Sequence, residues 1–522
     1  MEASSVEPRP SRPAPADVAG PAGPRGLPTW IWTIVAVTLA GGALRFATLG
    51  HQSLWLDEAW TAYLVRLHPG EMLRAIPQTE STPPLYYLLV WAITRLAGHG
   101  DVSVRLLSAV AGTLTIPIAY AAGATLATRR VGLVAGAIAA TSPILVWYSQ
   151  EARSYALAIA LASLSLLCFA RARERPSGWR LAAWAAAAMA ALGTHYFAGF
   201  VVAPEAVLLL VAALRARRAL APTLAALAAV GALGCALLAM AIKQEHHRSA
   251  AWIHGIALSH RLLETPREWI AGFPPGAAAW LPWAAGAIAA AAFALLLWRG
   301  EARERRSALL AGAIGVTALA LPLLLAAAGL DFFLARNLLP AWLPLALVLA
   351  AGLGARRAAR VGGALTVALC ALSLATVVAV ASTPSLQRPT WRTLAARLGP
   401  PRRGRAIVIR RYAFGMPLAI YRPSTWHMRA PSARLREIDV VTLNTRGAYA
   451  CWWGATCGIA GARPLRGTLV HGFALAGRER AGDFTISRFV AARPLRVRRI
   501  QLLVRRGNTV LLDGVRSPVP PA

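Results

Sequence analysis

Residues 83–98, PPLYYLLVWAITRLAG, look like a membrane span, and whether they cross decides how the chain is threaded. Apolar stretches of about twenty residues, the length that spans a ~30 Å hydrocarbon core, recur along the chain. The sequence of 522 residues is 57% hydrophobic and only 15% charged. A soluble fold would require about ten helices that are apolar on every face. The expected fold is therefore a polytopic α-helical membrane protein.

Arginine settles the status of 83–98. Short clusters fall at Arg129 and Arg130; at Arg171, Arg173, Arg175 and Arg180; at Arg215, Arg217 and Arg218; at Arg299, Arg303, Arg305 and Arg306; and at Arg356, Arg357 and Arg360. Short basic loops stay in the cytoplasm, so an even number of spans separates consecutive clusters. If 83–98 crossed after a first span at Trp30–Leu49, the next span would strand Arg129 and Arg130 outside. The segment is also shorter than the ~20 residues a crossing needs. It is expected to lie in the outer interface as an amphipathic juxtamembrane helix, with Tyr86, Tyr87 and Trp91 at the headgroup level.

The remaining spans then fall at 104–127, 131–148, 154–170, 180–194, 197–214, 220–242, 276–298, 308–330, 337–354 and 361–382, which makes about 11 transmembrane helices with the amino end inside. The turn at THYF, 194–197, has to be very tight. Residues 1–28, rich in Pro, Ala and Ser, form a disordered cytoplasmic tail ahead of a transmembrane domain at 29–382, whose first external loop is 50–103. From 383 to 522 hydrophobic density falls, and strand-like runs RAIVIR (405–410), IDVVTL (438–443) and QLLV (501–504) alternate with turns. This predicts a small α/β domain, placed outside by the odd number of spans although it carries 25 arginines against 5 acids.

The formal charge of +33 is almost wholly arginine, Lys243 being the one lysine. Basic loops of a membrane protein account for much of it, so nucleic acid is not an expected partner. Cys168, Cys235 and Cys370 lie in apolar segments as small hydrophobic residues. Cys451 and Cys457, in CWWGATC, are the candidate disulfide if that loop faces an oxidising compartment.

The threading brings Asp57, Glu58, Glu80, Glu151, Arg153, His195, Asp331 and Arg336 to one outer side. Within LWLDEAWTAYL, 54–64, Asp57 and Glu58 suit a reaction in which a carboxylate takes a proton from an incoming hydroxyl. They suit equally well the start of a helix. Glu151 and Arg153 lie in SPILVWYSQEARSYAL, 142–157, where a guanidinium facing the membrane suits a lipid phosphate. An ion pair closing the turn fits the same residues. His195 and Tyr196 sit at the tight turn, and Arg336 opens ARNLLPAWLPLAL, 335–347. Glu205, an acid inside a span, is a functional suspect by position. No nucleotide fingerprint and no HExxH motif appears.

The ordered motifs LWLDEAWT, STPPLYYLL, SPILVWYSQEARSYAL, THYF and RNLLPAWLPL resemble the membrane glycosyltransferases of the GT-C superfamily, in the branch of the protein O-mannosyltransferases and the lipid A aminoarabinose transferase. The resemblance covers roughly residues 30–382. It implies an enzyme at the outer face of the cytoplasmic membrane, mannosyltransferase-like, moving a sugar from a polyprenyl phosphate carrier to a glycan, lipid or protein of the cell envelope, usually with inversion. It further implies Asp57 as the catalytic acid/base with Glu58 beside it, Glu151 and Arg153 lining the donor cavity, and Arg336 on the donor phosphate. A divalent cation is optional. Two positions depart from the family's usual pattern: Thr82 precedes the proline pair where a histidine or basic residue is common, and Asn337 follows the late arginine where tyrosine is common. A transporter that flips a lipid-linked sugar without making a bond is the alternative, and it requires charged residues at several depths.

Overall fold

The computed structural model describes residues 28–245, 251–272, 280–410, 415–444, 470–503 and 508–515. The chain enters through α1 (Thr29–Phe46) and then makes three helices, α2 (Leu56–Leu64), α3 (Pro69–Thr79) and α4 (Leu85–Ala97), before α5 (Asp101–Leu126). There follow α6 (Arg129–Thr141), α7 (Pro143–Ser149), α8 (Tyr155–Glu174), α9 (Gly178–Thr194), α10 (Gly199–Ala216) and α11 (Leu220–Glu245). The helical body closes with α12 (Leu258–Ala271), α13 (Leu281–Arg299), α14 (Ala302–Ala327), α15 (Trp342–Leu353) and α16 (Ala359–Ser382).

Among the described residues, 8 helices are long and apolar enough to cross a membrane, or 9 if the bent pair α6–α7 counts as one span. This is a multi-pass membrane protein. The other two expected spans are helical but short: α9 has 17 residues, and Leu339–Leu353 is a 3-10 turn continued by α15. The turn at 194–197 is as tight as the sequence demands, with a single 3-10 turn, Tyr196–Ala198, between α9 and α10.

The span expected at 131–148 is not continuous. It breaks at Ser142 with a bend of 57° between α6 and α7. Pro143 has no N–H to offer the carbonyl of Ala139 one turn back. Arg45, at the end of α1 and fully buried, takes over that role: its Nη2 donates to Ala139 O at 2.8 Å and its Nη1 to Ala140 O at 3.0 Å. The bend directs α7 and the turn after it, Gln150–Ser154, toward the first loop.

Helix α4 forms where the juxtamembrane helix was expected, but its tyrosines face the protein interior rather than its surface. Tyr86 and Tyr87 are fully buried, hydrogen-bonded to Ser108 at 3.0 Å and to Glu80 at 2.7 Å. A buried phenol needs such a partner, and the protein interior supplies both.

Three of the arginine clusters, at 129–130, 299–306 and 356–360, meet at the opposite end of the bundle. Arg130 donates to Ala359 O, Arg303 to Thr125 O at 3.4 Å, and Glu304 accepts from Arg356 N at 3.1 Å.

Beyond α16 the chain forms α17 (Trp391–Arg397), α18 (Met416–Tyr421) and a six-stranded sheet of order β2-β6-β1-β3-β5-β4. The strands are β1 (Arg405–Ile409), β2 (Thr425–His427), β3 (Ser432–Leu443), β4 (Ala474–Ala481), β5 (Phe484–Arg498) and β6 (Thr509–Asp513). Only β1 and β3 run parallel. RAIVI is buried at every position, as a central strand covered on both faces should be. The described part of QLLV, residues 501–503, is not a strand: Arg499–Leu502 is a short helix, started by Gln501 Oε1 accepting from Arg498 N at 2.7 Å. The helix α18 packs on α2, and Tyr421 Oη accepts from Leu54 N at 2.6 Å while donating to Asp101 at 2.7 Å.

Candidate functional site

Trp55 is the N-cap of α2, so Asp57 and Glu58 occupy the first turn and leave it in different directions. Glu58 points inward and is completely buried. Its carboxylate accepts from Trp55 N at 3.3 Å, from Ala152 N at 2.8 Å, and from Arg105 on α5 at 2.6 and 2.7 Å. Burial alone would raise its pKa, but the guanidiniums of Arg105 and Arg388 more than offset that and hold it below the usual range. The structure does not place Glu58 in the cavity wall beside Asp57, where the sequence reading expected it. Glu58 has no face toward the cavity; it ties α2 to α5 and to the 150–154 turn.

Asp57 points the other way, into a cavity of about 540 Å³. Across from it Arg336 places Nη1 3.1 Å from Asp57 Oδ2. Arg336 sits over the rings of Tyr155 (5.7 Å) and Trp252 (5.4 Å), which keep a cation in place without neutralising it. Burial would lower its pKa, but Tyr155 and Asp57 hold it above the usual value, so it stays charged.

Arg153 also reaches the cavity. Its Nη1 lies 2.6 Å from Glu80 Oε2, whose other donor is Tyr87, and 3.5 Å from the main-chain oxygen of Asp57. Burial raises the Glu80 pKa against the pull of Arg153. His195 ends α9 with its ring 5.7 Å from Tyr155, and its Nδ1 accepts from Phe197 N at 3.3 Å. Burial, then Arg153 and Arg336, push its pKa down to about 3, so it is neutral. Tyr196 donates to Gln244 at 2.7 Å, and Gln244 in turn donates to Thr82 O at 3.2 Å.

The cavity thus has two ends. Asp57, Glu80, Arg153, His195 and Arg336 form the polar one. The other runs between α10, α11 and α14 and is apolar, with Phe200, Leu237, Leu238, Ile242, Pro322 and Leu325 among its walls. Thr82 and Asn337, the two departures from the family pattern, both line it.

Glu151 does not line the cavity where the sequence placed it. It is buried behind α2, 3.0 Å from Arg388, and its pKa is pushed up to about 7 by burial, against the pull of Arg388. Asp331 is likewise outside the cavity wall, in a bidentate pair with Arg261 at 2.8 and 2.5 Å. Glu205 accepts on Oε2 from Ser165 at 2.5 Å and Trp184 at 2.9 Å, a polar contact between helices that leaves its buried Oε1 without a hydrogen bond. Cys451 and Cys457 lie outside the described residues.

Among the described residues no three His, Cys, Asp or Glu side chains converge as metal ligands. Asp57 and Glu80 each already face a guanidinium, so the residues present do not fit a resident divalent ion. Sequence reasoning placed Glu80 on the same side as Asp57, with which it lines the cavity, without giving it a role. It missed Arg105, Arg388, Trp252 and Gln244, none of which stands in a recognisable motif.

A family model described as dolichyl-phosphate-mannose-protein mannosyltransferase matches residues 81–242. No curated protein matches the chain in sequence. Among solved structures, ArnT from Cupriavidus metallidurans bound to undecaprenyl phosphate is similar at 15% identity and a TM-score of 0.49, over 89% of this chain and 98% of that one. The archaeal oligosaccharyltransferase AglB from Archaeoglobus fulgidus, in complex with an inhibitory peptide and a dolichol-phosphate, is similar at 13% identity and a TM-score of 0.44, over 72% and 58%. By its five ordered motifs and the family match over 81–242, the chain resembles the membrane glycosyltransferases of the GT-C superfamily.

Proposed function

We propose that the protein is an inverting glycosyltransferase that moves a sugar from a polyprenyl phosphate carrier to a hydroxyl of a cell-envelope glycan, lipid or protein at the outer face of the cytoplasmic membrane. The observation that carries this reading is the two-ended cavity: an apolar passage between membrane helices leads to a carboxylate and two arginines. An isoprenoid tail suits the first part and a phosphate-linked sugar the second.

In the proposed reaction Asp57 accepts the proton of the acceptor hydroxyl as its oxygen bonds to the anomeric carbon. The bond from that carbon to the phosphate oxygen breaks, and its electron pair leaves with the polyprenyl phosphate. Arg336 stabilises the departing charge through planar, charge-assisted hydrogen bonds, and Arg153 adds to the positive field. Since the phosphate is already a good leaving group, no strong general acid is required. Neutral His195 fits a hydrogen-bonding contact to the sugar better than a charge.

Purified protein given radiolabelled polyprenyl phosphate sugars tests the reading: transfer to an acceptor that is lost in Asp57→Asn supports it. Movement of the lipid across a vesicle with no transfer product would replace it with the transporter. The setting of Glu205 already weighs against the transporter, because its carboxylate is held between helices rather than along a polar path.

A further inference from the structure

Arg388 lies two residues after the 3-10 turn Pro384–Leu386, where the chain leaves α16 and starts toward the sheet. An arginine in such a connection is ordinarily solvated, yet this one is 3% exposed. Its two terminal nitrogens are hydrogen-bonded, while Nε makes no hydrogen bond and has only a longer ionic contact. Its Nη2 is 3.0 Å from Glu151 Oε2, its Nη1 donates to Gln150 O at 2.9 Å, and its Nε is 3.7 Å from Glu58 Oε2. Its main-chain N donates to Gln52 Oε1 at 3.0 Å, and its guanidinium lies 4.7 Å from the centre of the Trp147 ring.

These partners belong to the pieces that carry the proposed chemistry. Gln52 lies just ahead of α2 and Glu58 follows Asp57 in its first turn, while Gln150 and Glu151 begin the turn that carries Arg153. Arg388 itself does not line the cavity. Two residues on, Thr390 and Asp483 exchange hydrogen bonds at 3.0 Å, so the same short segment is held by the sheet.

We infer that Arg388 is a positioning residue that clamps the start of α2 to the 150–154 turn, so that the connection into the C-terminal sheet holds Asp57 and Arg153 in register. This role rests on the glycosyltransferase reading for its effect on rate, but not for its effect on order. A buried arginine with the Glu151 carboxylate and the Gln150 carbonyl in its fork orients both at once and leaves its charge beside Glu58, and a small misplacement of a reacting group is costly to rate.

The test compares wild type with Arg388→Ala and Arg388→Lys, full-length in detergent, by hydrogen exchange, binding of bare undecaprenyl phosphate and turnover. For Arg388→Ala we expect faster amide exchange confined to Leu54–Leu64 and Gln150–Ser154. Turnover falls roughly 10- to 100-fold while affinity for the bare carrier changes by less than about twofold. Arg388→Lys retains a cation opposite Glu151 but loses the planar fork, so it recovers part of the loss. Unchanged exchange in both segments overturns the inference, as does a rise spread evenly over all helices or a loss of carrier binding matching the loss of rate. If wild type transfers no sugar at all, the glycosyltransferase reading falls, and the exchange pattern still decides the role of Arg388.

Discussion

Arg336 and Asp57, 279 positions apart in the chain, meet at 3.1 Å in the polar wall of the cavity. The pair joins the end of the loop after α14 to the first turn of α2. It leaves a carboxylate and a permanent cation facing the same space, which is the arrangement an acceptor hydroxyl and a leaving phosphate need between them.

Replacing Asp57 by Asn keeps the shape and removes the proposed base. Turnover is expected to fall by about 10²–10⁴-fold, the usual range for a positioned general base, with carrier affinity nearly unchanged. Single-turnover transfer from a labelled donor measures it; a loss below about tenfold would remove Asp57 from the chemical step.

Arg336→Lys retains charge but gives up the fork and the stacking on Tyr155 and Trp252. Binding of undecaprenyl phosphate is expected to weaken by about tenfold, or ~1.4 kcal/mol, and Arg336→Ala to weaken it further. Equal affinity in wild type and both variants would place the phosphate elsewhere.

Gly234 lies on the apolar wall, and a side chain added there would meet open space. Gly234→Leu should therefore leave thermal stability unchanged or raise it by about 0.5–1 kcal/mol, since glycine is unfavourable within a helix. Carrier affinity should drop as the tail passage narrows. Tighter or unaltered binding would show that the isoprenoid chain runs along a different surface.

Glu58→Ala leaves Arg105 without its carboxylate in a fully buried position. Breaking a buried pair in this way costs on the order of 3–5 kcal/mol. A thermal unfolding midpoint close to that of wild type would contradict the structural role assigned to Glu58.

His195 predicts a pH dependence. Its folded-state pKa of about 3 lies below the ordinary 6.5, so the unfolded chain binds the proton more readily. Its contribution to stability is complete above about pH 6.5 and is lost as pH falls toward about 3. In His195→Gln that part of the acid slope should vanish. Melting curves between pH 4 and pH 7, at ~0.5 unit steps, compare the two slopes, and parallel slopes would mean the imidazole is accessible to protons in the fold.

The sequence by itself determined the membrane class, the positions of most of the long apolar helices and the common side of Asp57, Arg153, His195 and Arg336. Those follow from apolar length and from the placement of arginine, which act locally and on every residue alike. It also indicated the tight turn at 194–197, because two helices leave no room for a longer one. The bend at Pro143 carried a local signal, but not that Arg45 would satisfy the carbonyls it frees. The direction of each side chain was a matter for the tertiary structure. Asp57 and Glu58 are adjacent and chemically alike, and only the packing of α2 against α5 and the 150–154 turn gives one the cavity and the other Arg105. The same holds for Glu151, drawn away from the cavity by Arg388, a residue 237 positions later. Long-range pairing of buried charges depends on which surfaces meet, and no periodicity within a single segment encodes that.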